Sequence, residues 1–330
     1  MVKEILTTLG ILLLGYGGCW AQDSDFKPNG AFNGRLYANF NSSLKSDDPT
    51  TGFEVQRAYF GYKYKLTPAF SMALKLDIGS PDALGETGQI NRYAYFKTAA
   101  AYYKVENVTI GFGLQSTYQY KLQNGFWGRR YIYKNIAEGN SLGPSADIGL
   151  SFVGKWNEWE ADVAFMNGEG YKKLQNDNSF KATGGITYHP NKTWLFRIYG
   201  DMINKAVVQS TYTAFVGYKG SLFNLALEGT MKDNENYIQG NQRYGYSIYG
   251  AYYLSDVIEL FARYDYLESN IPAGDHLPWN LSEDGSAIIS GVQYSPIQHI
   301  HIALNYQDWV PLASNMEMES TIFVNLEVTF

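Results

Sequence analysis

Residues 119–145, QYKLQNGFWGRRYIYKNIAEGNSLGPS, hold the densest group of side chains able to bind a solute. Lys121, Arg129, Arg130 and Lys134 stand there against one acid, Glu138, with Trp127, Tyr131 and Tyr133 between them. Arginine offers planar donors to phosphate or carboxylate and keeps its charge. The chemistry this predicts is anion recognition. A competing expectation pairs Arg129 and Arg130 with acids such as Asp147, or leaves them in solvent.

Bond-making chemistry finds less support. The four histidines are His189, His276, His299 and His301. His299 and His301 read as one face of a late strand, but no third ligand is near them in sequence, so no metal site is expected. Ser286 or Ser290 could meet His299 or His301 across a hairpin near 295–298 as a nucleophile and its base. No local motif supports that pairing. Glycine-rich phosphate loops, zinc spacings and basic DNA-reading helices are missing from the sequence. No catalytic residue and no cofactor is expected. The single cysteine, Cys19, excludes disulfide frameworks and Cys-ligated metals from the chain after it.

The elements that must carry these residues are strands. Phe70, Met72, Leu74, Leu76 and Ile78 alternate with Ser71, Ala73, Lys75 and Asp77, so one face is apolar and the other charged. The same period of two recurs at 108–115, 159–166, 194–199, 258–265, 300–307 and 322–330. Helical periodicity loses to it. Turns near 67, 106, 157, 190, 220, 255 and 295 alternate with longer polar loops near 42–51, 79–89, 119–145, 167–179, 203–210, 232–242, 267–283 and 309–318. Short turns on one side and long loops on the other are the pattern of an outer-membrane barrel. The segments number about 16, an antiparallel up-and-down order with both chain ends on the short-turn, periplasmic side. A soluble all-β sandwich would also alternate, but it needs neither strict turn–loop alternation nor an aromatic end such as Phe330. That residue is the expected signal to the barrel-assembly machinery.

The first residues read differently. Residues 1–21 combine Lys3, an apolar centre at Ile11–Leu14 and small residues before Gln22, which predicts a cleaved signal peptide. Gly17-Gly18-Cys19 also resembles the end of a lipidation site, though Tyr16 stands where such sites prefer leucine. The expected organisation is a signal peptide over 1–21 and a single barrel over 22–330.

A barrel of that size encloses water rather than a dry core. Arg35, Arg57, Lys75 and Asp77 fall in the inward phase. So do Arg197, Asp201, Arg263 and Asp265, and Asn39, Lys63 and Arg243 with them. Burying such charges without water would be costly. Arg263 and Asp265 read as a structural pair. The outward phase faces lipid. Tyr62, Tyr64, Trp156, Trp159, Trp194, Tyr218 and Tyr252 are candidates for interfacial girdles. The 119–145 segment is then the third long loop, placed to narrow a pore. Its candidate constriction is Lys121, Arg129, Arg130, Tyr131, Tyr133 and Lys134. The formal net charge of −6 gives no reason to expect nucleic acid as a partner.

Several stretches resemble the phosphate-selective porin O and P family. They are Gly34–Phe40 (GRLYANF), residues 53–79 (FEVQRAYFGYKYKLTPAFSMALKLDIG), residues 101–115 (AYYKVENVTIGFGLQ) and Phe165–Gly170 (FMNGEG). The resemblance runs diffusely to Phe330. It implies a homotrimeric outer-membrane porin of 16 strands, its third loop in the lumen, passing small hydrophilic solutes or ions, anions among them. The chain departs from the family in its acidic balance and in Leu114-Gln115-Ser116-Thr117-Tyr118, where a Phe-Lys-x-Pro-Phe-like run is expected. The alternative readings are an enzymatic barrel (a hydrolase) and a structural or adhesive one.

Overall fold

The computed structural model describes residues 26–45, 50–79 and 92–330. Cys19 and the expected signal peptide lie outside the described residues, as do most of the first and second long loops. No described helix is long and apolar enough to cross a membrane.

The described residues form sixteen strands that close into one barrel. They are β1 Asn29–Lys45, β2 Thr51–Lys65, β3 Phe70–Gly79, β4 Ala94–Val105, β5 Val108–Ser116, β6 Ala146–Trp156, β7 Trp159–Met166 and β8 Lys181–Tyr188. The second half comprises β9 Trp194–Asn204, β10 Val208–Lys219, β11 Phe223–Asp233, β12 Gln242–Tyr253, β13 Ile258–Ser269, β14 Gly285–Ile297, β15 Ile300–Pro311 and β16 Glu319–Thr329. Each strand pairs antiparallel with its sequence neighbours, and β1 pairs with β16 to seal the seam. Closure removes every sheet edge, which a bilayer demands because lipid offers no partner to an open N–H or C=O.

The burial pattern is inside-out relative to a soluble protein. On β9, Arg197 and Asp201 are buried while Phe196 and Ile198 are exposed. On β13, Arg263 and Asp265 are buried while Ile258 and Leu260 are exposed. Apolar exposure around a whole barrel is stable only against lipid. Aromatic side chains mark the two rims. Trp159 stacks on Tyr188 at 4.3 Å and Trp194 meets Tyr218 at 5.1 Å beside the short turns. Phe165–Phe180 at 4.9 Å and Tyr246–Tyr266 at 5.4 Å mark the loop side.

Two expectations need correction. The fifth of the expected long loops, 203–210, is a tight turn: β9 and β10 pair up to Asn204↔Val208, leaving only 205–207 between them. The last short turn lies after Ile297, beyond a bulge between Tyr294 and Ile297, rather than at 295. His299 therefore sits in a turn, and its Nδ1 lies 3.3 Å from Thr329 Oγ1. His301, on β15, instead contacts Ser295 Oγ at 2.8 Å. The histidines do not converge, and their serine neighbour is neither Ser286, cross-paired with Val310, nor Ser290, cross-paired with Tyr306. Gln293 also reaches Ser295 Oγ, at 3.2 Å, which ties that hydroxyl into the wall.

Candidate functional site: a loop across the lumen

The third loop leaves β5 after Ser116 and rejoins the wall at Ala146. It contains helix α1, Lys121–Trp127, and a single turn α2, Ile136–Gly139. Gly128 ends α1 in the left-handed conformation, φ 68°, and reverses the chain. Asn135 caps α2, its Oδ1 accepting from Ala137 N at 2.9 Å.

One side of the loop is pinned to the wall made by β10–β16. Trp127, 1% exposed, packs edge-on against Tyr249 at 5.3 Å and Phe261 at 6.0 Å. Phe126 meets Phe215 at 5.4 Å and lies over Gly217, where a Cβ would come within 2.5 Å of its ring. Arg129 Nη2 is 2.7 Å from Glu259. Tyr131 donates to Gln293 Oε1 at 2.8 Å, and its carbonyl accepts from Asn325 at 3.2 Å. Asn135 donates to Glu228 at 2.6 Å, and Arg243 donates to the Asn140 carbonyl at 2.8 Å. Tyr133 lies under the Arg263 guanidinium at 5.3 Å, and Arg263 pairs with Asp265 at 2.6 Å. On the adjoining β7–β9, Arg197 pairs with Asp162 at 2.7 Å, and Lys181 with Asp201 at 3.6 Å. Most buried charges of these strands are paired with one another or with the loop.

The other side of the loop faces β1–β4. Arg130 donates to Tyr59 Oη at 2.7 Å and is clasped by Glu138. Arg35 bonds Tyr37 Oη at 3.2 Å, and Arg57 bonds Tyr59 Oη at 3.1 Å. Lys75 Nζ lies 5.7 Å over the Tyr59 ring. Cations thus climb the wall. Lys63, near the short turn, is followed by Lys75 level with Gly61, Arg35 level with Tyr59, and then Arg57. Six residues along a strand rise about 20 Å. Against them stand Asp77, 3.5 Å from Arg57 and 3.8 Å from Lys97, and Glu327, 3.3 Å from Arg35.

Between this wall and the loop is a cavity of 320 Å³. Arg35, Lys75, Lys97, Lys121 and Arg130 line it, and Glu138 is the one acid among its lining residues. Burial would raise the Glu138 carboxyl, but the Arg130 hydrogen bonds and charge outweigh it and hold the group at about 2. A second cavity of 680 Å³ opens toward the short turns and shares Lys121 with the first. Its cations include Lys155, Lys192 and Lys219, and its acids Glu160 and Asp162 are paired with Lys155 and Arg197. Lys121 is exposed to both spaces, and Lys134 is exposed outside them. Burial lowers the Lys134 ammonium, and Arg57, Arg130 and Lys172 press it further in the same direction, while Glu138 opposes them.

The six candidate constriction residues therefore divide. Lys121 and Arg130 line the cavities, Lys134 is exposed but lines neither, and Arg129, Tyr131 and Tyr133 anchor the loop. Asp147 pairs with neither arginine. Its carboxylate accepts from Ile148 N at 2.8 Å and Gly168 N at 2.7 Å. The sequence reading missed Lys97, brought to the lumen by the β3–β4 bulge between Lys75 and Leu76. A lysine inside an otherwise apolar strand was its only signal. Among the described residues no His, Cys, Asp and Glu cluster could hold a metal ion.

No family model matches the chain. No curated protein matches it either. Solved structures do. OmpF of Salmonella typhi, in complex with daunomycin, matches with a TM-score of 0.70 at 10% identity over 91% of this chain and 97% of that one. The fold is a porin fold. An anion-selective porin from Comamonas acidovorans matches with a TM-score of 0.65 at 13% identity, covering 92% and 100% of the two chains. In vitro folded OmpT of Vibrio cholerae, in trimer form, matches with a TM-score of 0.64 at 14% identity over 92% and 100%. At these identities the likeness extends to the barrel and not to its cargo.

Proposed function

We propose that the protein is an outer-membrane channel through which small hydrophilic solutes and ions diffuse, with a preference for anions. The carrying observation is the asymmetric lumen. The third loop neutralises and packs one wall, and five cations against one acid line the cavity left beside the other. In a narrow, low-dielectric passage such an excess sets a local positive potential that attracts anions and repels cations. The overall charge of −6 does not oppose this, because salt screens charges beyond about 8 Å at physiological ionic strength. Phosphate is the finer choice. The resemblance in the first strands favours it, and the half-exposed Arg35 offers planar donors of the kind phosphate takes.

The likeness to a solved trimer supports a homotrimer in outer-membrane lipid. The exposed terminal Phe330 would be read by the assembly machinery. Current through a planar bilayer under a KCl gradient tests the reading. An anion-favouring reversal potential, with chloride current reduced by added phosphate, is expected. A neutral or cation-favouring potential would remove the anion preference and leave a general porin.

A further inference from the structure

The fourth loop, 167–180, joins β7 to β8. Gly168 (φ 97°) and Gly170 (φ 80°) turn it inward. Gly170 rests on Pro144 at the end of the third loop. Lys205, in the tight β9–β10 connection, holds its base with Glu169 at 2.5 Å and Asp177 at 2.8 Å. From there the loop reaches β3 and β4, four strands back around the barrel. Tyr171 donates to Asp77 Oδ2 at 3.0 Å. Its ring covers the Lys97 ammonium at 4.0 Å and meets Tyr95 edge-on at 6.4 Å. Lys172 Nζ sits 5.0 Å over the Tyr95 ring. Lys97, a cavity-lining cation, is left only 8% exposed.

We infer that Tyr171 is the mouth-side gate of the passage beside β1–β4, with Asp77 as its latch. An ammonium against an aromatic face has its charge partly satisfied there, and Asp77 at 3.8 Å together with the Ser145 hydroxyl, which accepts from it, completes the cover. While Tyr171 is latched, Lys97 is unavailable to a passing anion and the passage is at its narrowest. Breaking the Asp77 hydrogen bond and the ring's contacts with Lys97 and Tyr95 lets the ring swing away while the third loop stays held by its anchors on β10–β16. Gating rests on this geometry alone. Only the identity of the passing ion rests on the anion-channel reading.

Single-channel recording of the folded full barrel tests the gate. Tyr171→Ala is expected to raise open-channel conductance about two-fold by widening the constriction. Tyr171→Phe keeps the ring and loses the latch, so openings should lengthen at nearly unchanged conductance. In a Cys19→Ser background, Tyr171→Cys should be blocked by a negatively charged methanethiosulfonate. Wild-type conductance and dwell times in both the Ala and Phe variants, shown folded by their heat-modifiable electrophoretic mobility, would overturn the gate. Raised conductance with a cation-favouring potential keeps the gate and removes the anion reading. Unchanged conductance with an anion-favouring potential does the reverse.

Discussion

Arg129 and Arg130 are neighbours in the chain that reach opposite walls of the barrel. Arg129 Nη2 lies 2.7 Å from Glu259 on β13, and Arg130 Nη1 lies 2.7 Å from Tyr59 Oη on β2. The turn after Gly128 sends their side chains apart. One guanidinium is spent on holding the loop, and the other is presented to the cavity.

Substituting the two arginines should therefore have different effects. Arg130→Ala is expected to move the reversal potential toward cations and raise conductance. Arg129→Ala should leave selectivity near wild type but strip Glu259 of its cation, costing about 3–5 kcal/mol since the pair is mostly buried. Reversal potentials and denaturant midpoints of both variants check this, and equal selectivity shifts would contradict the division.

Trp127 is the largest side chain in the lumen cluster and is 1% exposed. Trp127→Ala should cost about 3–5 kcal/mol through the void it leaves. The freed loop should give noisier, larger currents. Limited proteolysis of detergent-solubilised protein should then cut within 119–145, where the wild type resists.

Acid should loosen the same loop through Glu138. Its carboxyl is held at about 2, below the ordinary 4.5. A depressed carboxylate contributes stability that is fully present above 4.5 and is lost as pH falls toward 2. The whole contribution is on the order of 3 kcal/mol. Glu138→Gln should flatten the stability profile between pH 4.5 and 2, as read by acid titration of the unfolding midpoint. An identical slope in the two proteins would remove Glu138 as the cause.

The barrel seam offers a fourth test. A Cβ on Gly34 would come 2.0 Å from the Phe330 ring, while the two backbones exchange hydrogen bonds of 3.0 and 3.2 Å. Gly34→Val should push the terminal ring off β1 and lower the folded yield. Phe330→Ala should do the same, and the double variant should be no worse than either, because both remove one contact.

Much of this architecture was legible in the sequence, because strand periodicity survives wherever one face meets lipid. Phe70 to Ile78 announced an outward face, and Arg197 and Arg263 were readable as inward. The tight β9–β10 turn was not legible, since Lys205-Ala206-Val207 holds no glycine, proline, asparagine or aspartate to mark it. The split within the third loop was also hidden. It depends on Glu259, Gln293 and Glu228, which lie 93 to 162 residues from their partners where hydrogen bonds record them. Lys97 escaped because a bulge shifts the phase of β4, and no local rule places Tyr171 above it.

The lumen separates two duties that many pores combine. The half-barrel from β10 to β16 serves as a mooring for the third loop, and β1 to β4 present the charges a solute would meet. Replacing Lys63 or Lys75 need not disturb the anchors of that loop on β10–β16. The barrel is thus a chassis whose preference can be rewritten from one wall, one side chain at a time, while its machinery for holding the passage narrow stays bolted to the other.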